Sequence, residues 1–121
     1  MWRPGRRKEP QDRRGKPRLA VERVTAVYFE GATNCSHPVG NLSVEGALIL
    51  TATKWFRGTL IKASLRYEKD SEAKVFEGLW CEVVRSTEEG LCVKFRHGSG
   101  QEQIAFAKFI ERVVHDQFPK I

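Results

Sequence analysis

Along most of the chain hydrophobic residues alternate with polar ones, and only near the end do they recur at helical spacing. Arg23-Val24-Thr25-Ala26-Val27-Tyr28-Phe29 is rich in β-branched and aromatic residues and reads as a first strand. The stretch 30–40 carries Gly31, Asn34, Pro38 and Gly40, which predict turns, with a short second strand through Val39 to Leu42. Gly46 precedes a third strand, Ala47-Leu48-Ile49-Leu50-Thr51. Gly58 precedes a fourth, from Thr59 to Arg66, with Lys62 and Arg66 on alternate positions. Val75 to Val84 is a longer fifth strand, interrupted by Gly78. Glu88-Glu89-Gly90 then turns the chain into Leu91–Arg96. There Leu91, Val93 and Phe95 are expected to face in, and Lys94 and Arg96 out.

After Gly98 the period changes. Ser99-Gly100-Gln101-Glu102 has capping-box spacing, in which a serine and a glutamate satisfy the first free backbone N–H groups of a helix. Phe106, Phe109, Ile110 and Val113 follow on one helical face, which predicts a helix over about 101–115. Six short antiparallel strands and one trailing helix predict an all-β fold with a C-terminal helix, a six-stranded antiparallel β-barrel. Strands and helices do not alternate, so a doubly wound nucleotide-binding fold is not expected.

The chain has 121 residues, enough for one domain. Its charge changes the picture more than its length. Residues 1–18 hold eight basic and two acidic side chains, while residues 19–121 hold thirteen of each. All of the net +6 therefore sits in the N-terminal segment. That segment also has three prolines, two glycines and only Met1 and Trp2 as large apolar residues. It is expected to be a flexible basic arm on a neutral body, residues 19–121. Such an arm implies an anionic partner. No apolar run approaches the ~20 residues of a membrane span. Arginines without a following apolar stretch do not make a secretory signal, so a cytoplasmic protein is expected.

Two local patterns carry the candidate chemistry. Arg13-Arg14-Gly15-Lys16-Pro17-Arg18 places an R-x-x-x-R where the arm meets the first strand. A guanidinium can clamp a phosphate with two parallel bonds, bind the O6/N7 edge of guanine or stack on a base. Asn41-Leu42-Ser43-Val44-Glu45-Gly46 is an N-x-S-x-x-G. In an extended strand Asn41 and Ser43 share one face, with Leu42 pointing into the barrel. Gly46 would supply a positive φ or room for a close-lying ligand. From the residues alone, the partner is anionic and nucleotide-like.

Taken together and in this order, the two patterns resemble those of the PilZ domain family, bacterial receptor modules for cyclic di-GMP. Gly58, and the strand Gly90-Leu91-Cys92-Val93-Lys94-Phe95, are also similar to features of that family. The resemblance runs from Arg13 to about Val114, with asparagine rather than aspartate at position 41. It implies a split-barrel-type fold, no catalysis and no cofactor or metal. It also implies a cyclic di-GMP site made by Arg13, Arg14, Arg18, Asn41, Ser43 and Gly46. Ligand would order the arm and so signal to a downstream protein. The basic residues before Arg13 exceed what the family pattern needs.

Other residues point less far. Cys35, Cys81 and Cys92 form no C-x-x-C and are expected in core or loops. His37, His97 and His115 are scattered. Trp80 is expected in the core, and Trp55 packed on the barrel and partly exposed. Two other readings compete. A nucleic-acid-binding small barrel requires exposed aromatics interleaved with basic residues. A ligand-blind member of the fold would act by protein contact alone. An enzyme lacks paired carboxylates, a metal cluster or a phosphate-cradling loop in the sequence.

Overall fold

The computed structural model describes residues 19–30 and 32–117. The segment 1–18 and the arginines within it lie outside the described residues. The elements are β1 (Leu19–Ala20), β2 (Val24–Glu30), β3 (Thr33–Leu42), β4 (Gly46–Leu50), β5 (Leu60–Lys69), β6 (Glu72–Ser86), β7 (Gly90–Arg96) and α1 (Gly100–Gln117). Neighbours run β3-β2-β5-β6-β7-β4, and β4 pairs back onto β3. Six antiparallel strands thus close into a barrel with one C-terminal helix. Closure removes the open sheet edges that invite association. The two-residue β1 is an extra: it pairs with the end of β3, Leu19 with Leu42 and Ala20 with Asn41.

Three expectations about the strands change. Residues 33–40 are not turns but most of the ten-residue β3. Cys35, His37 and Val39 alternate inward there, and Val39 is buried. Among the described residues, β3 has one sheet neighbour over 33–38, β2, so Pro38 interrupts only one ladder. Second, the fourth and fifth strands run on into each other as a hairpin, with Lys69 opposite Glu72. Asp70 sits at φ 58, a left-handed turn conformation that Asp adopts more readily than most residues. Third, Trp80 is 42% exposed rather than core. Leu79, Cys81 and Val83 on either side of it are the inward positions, so alternation sends the indole outward.

The core fills the barrel with Tyr28, Leu42, Ile49, Leu65, Leu79 and Leu91, all nearly inaccessible. Closing strands this tightly needs one backbone contact without a side chain. A Cβ on Gly90 would lie 1.9 Å from the Ile49 carbonyl oxygen. The helix begins at the expected cap: the Glu102 N–H donates to Ser99 Oγ at 3.1 Å. Glu102 returns its carboxylate to the Gly98 N–H at 2.7 Å, one residue earlier than in the usual box. Phe106, Ile110 and Val113 are buried, and Phe109 packs beside them. Phe106 meets Phe95 edge-on at 4.8 Å and Phe76 at 5.0 Å, so α1 is bolted to β7 and β6 through aromatic contacts.

Candidate functional site

The site is built where β3 leaves the barrel wall. Val39 pairs with Ile49, Asn41 with Leu48 and Leu42 with Ala47, and the register slips between Val39 and Asn41. This bulge inverts the phase of the strand. Odd positions face in as far as Val39; past the bulge Leu42 faces in, at 1% exposure, and Asn41 is turned outward. Gly40 sits in the slip, its missing Cβ replaced by the Leu50 side chain at 3.0 Å. Asn41 is only half-buried as a residue, yet its Oδ1 is shielded from solvent and accepts no hydrogen bond among the described residues. A buried acceptor left without a donor is unfavourable and rare in native proteins.

Ser43 departs from expectation. It is 5% exposed and does not stand open on the wall beside Asn41. Its Oγ accepts from the N–H groups of Glu45 at 3.1 Å and Gly46 at 3.2 Å, and donates to the Gly46 carbonyl at 3.3 Å. The Ser43 N–H donates to that same carbonyl at 2.9 Å. The hydroxyl is therefore consumed in its own turn, as short polar side chains often are. The turn recurs at Thr87-Glu88-Glu89-Gly90. Thr87 Oγ1 accepts from Glu89 and Gly90 at 3.1 and 3.2 Å and donates to the Gly90 carbonyl at 3.2 Å. S-x-x-G and T-x-x-G are one structural device used twice. Gly46 does not need a left-handed backbone: among the described glycines only Gly58 and Gly78 have positive φ. That part of the expectation for Gly46 is corrected.

The fold pairs the first described residues with the second motif, while Arg13, Arg14 and Arg18 lie outside the described residues. Arg18 directly precedes Leu19, whose ladder partner is Leu42, the residue between Asn41 and Ser43. The Val21 N–H donates to the Gly40 carbonyl at 3.1 Å and extends that pairing. Ala20 thus lies opposite Asn41, although 21 positions separate them. Sequence reasoning did not find β1, because two residues carry no readable alternation.

A second feature lies at the same junction. A cleft of about 580 Å³ is lined by Ala20, Glu22, Arg23, Tyr67, Lys69 and Asp116, among others. Arg23 has φ 66 there, and its carbonyl accepts from the Glu68 N–H at 3.1 Å. The Gln117 side chain accepts from the Glu22 N–H at 2.9 Å and donates to the Glu22 carbonyl. The end of the helix is thereby fastened to the segment just after the arm. Burial, and then the Asp116 carboxylate, push the Tyr67 phenol above its ordinary range. Among the described residues no group of three or more His, Cys, Asp or Glu could hold a metal.

Comparison with known proteins adds the fold. No family model matches the chain, and no curated protein matches it. Among solved structures it is similar to the PilZ domain of CeSA from a cellulose-synthesizing bacterium. The TM-score is 0.58 at 14% identity, covering 82% of this chain and 99% of that one. At such low identity the likeness is one of architecture: this chain has a PilZ-like barrel with a trailing helix.

Proposed function

We propose that the protein is a non-enzymatic receptor module for cyclic di-GMP. The observation that supports this reading is the β1–β3 pairing, in which Leu19 and Ala20, next in sequence after the R-x-x-x-R segment, lie against Leu42 and Asn41 of the N-x-S-x-x-G segment. Arg14 and Arg18 grip the phosphates and guanine faces, and Arg13 assists. Asn41 offers the shielded Oδ1 to a guanine N–H or a guanidinium, which would give it the donor it lacks among the described residues. Ser43 and Gly46 hold the turn that presents Asn41, and the ligand lies along it. The PilZ-like fold supports the reading, as does an arm holding all of the excess positive charge.

The reading implies that ligand orders the arm and alters the surface offered to a downstream protein. The test is the double substitution Arg14→Ala, Arg18→Ala. It should weaken cyclic di-GMP binding by about a hundredfold or more and leave the thermal unfolding temperature unchanged. Unchanged affinity in a folded double variant would overturn the mechanism.

A further inference from the structure

We propose that the outer wall of β5, β6 and β7 is a docking surface for an acidic protein segment bearing aliphatic side chains. Trp80 lies opposite Lys62 on one side and Arg96 on the other. The Lys62 ammonium stands 5.6 Å from the centre of the indole ring. One ladder step away, Leu60 faces Glu82 and Glu82 faces Lys94. Leu60 and Trp80 are 56% and 42% exposed, and Val84, four residues farther along β6 at its bulge, is 38% exposed. An exposed indole with an exposed leucine diagonal to it on a sheet face is a costly surface to leave in water.

The charges on the wall select the partner. Glu82 is taken by Arg96 in an ion pair. Lys62 and Lys94 enter no ion pair among the described residues. The wall thus offers cations without carboxylate partners around an apolar centre, which is complementary to carboxylates set between aliphatic side chains. The observations favour protein over nucleic acid. Leu60 and Val84 are aliphatic and offer no stacking platform. Lys62 already covers one part of the indole. Since Lys94 pairs with Gly46, the wall begins one strand from the turn discussed above. The inference does not depend on the identity of that site's ligand.

The test is amide NMR on the full chain, titrated with a short synthetic peptide of alternating leucine and glutamate. Shifts are expected over 60–62, 79–84 and 94–96. Lys62→Glu, an exposed change that leaves the barrel intact, should weaken binding at least about tenfold, and Trp80→Ala should act likewise. A serine–glutamate peptide of equal charge should leave the wall unshifted. Shifts confined to residues 1–18, or undiminished affinity in both variants, would overturn the proposal. So would equal wall shifts with the serine peptide, or wall shifts with an oligothymidylate and none with the leucine peptide.

Discussion

Asn41 and Ser43 stand two residues apart and do different work. Ser43 holds the turn with a hydroxyl that is fully engaged. Ser43→Ala leaves two N–H groups short of an acceptor and should cost about 1–3 kcal/mol, measured by urea unfolding. Asn41 makes no such bond through Oδ1 among the described residues. Asn41→Ala should therefore change stability by less than about 1 kcal/mol. The same variant should lose about tenfold or more in cyclic di-GMP affinity, because a bond to a charged or well-aimed donor disappears. Equal losses of stability in the two variants would contradict this division. Cys81 gives a pH-dependent prediction. Burial pushes its thiol from 9.0 up to about 12. The folded pKa lies above the unfolded one, so stabilisation from the neutral buried thiol is complete below pH 9 and is lost as pH rises toward 12. The unfolding temperature should fall above pH 9, and Cys81→Ala should flatten that fall relative to wild type.

At the scale of elements, the last two-thirds of the chain was readable because its alternation is regular. Leu91, Val93 and Phe95 face in and Lys94 faces out, as period two requires. Phe106, Ile110 and Val113 are buried on the expected helical face. Pro38 and Gly40 predict turns in isolation, while in β3 a barrel strand with one neighbour among the described residues tolerates the first and a bulge uses the second. A strand position alone does not say which face Trp80 takes; the alternation of β6 sends it outward. The candidate site was half legible. Its residue types and spacing are in the sequence, but the pairing of Leu19 and Ala20 with Leu42 and Asn41 is made by a strand of two residues. Nor did spacing reveal that S-x-x-G is a turn the chain repeats at Thr87–Gly90. Closure itself gives a test. With the Ile49 carbonyl 1.9 Å from any added Cβ, Gly90→Ala must push β4 and β7 apart. It should destabilise by roughly 1–3 kcal/mol or more, read as a lower urea midpoint. A neutral outcome would show that the seam is looser than the geometry implies.

For the molecule as a whole, a neutral barrel joins a segment that carries the entire net charge. The junction between them is where β1 meets β3 and where Gln117 fastens the helix end to Glu22. No helix among the described residues is long and apolar enough to cross a membrane. The most direct test is isothermal titration of the full chain with cyclic di-GMP, with GTP as the control. The account predicts micromolar or tighter binding, roughly −8 kcal/mol or better, and no heat with GTP. No heat with cyclic di-GMP at high protein concentration, or equal binding of GTP, would contradict it.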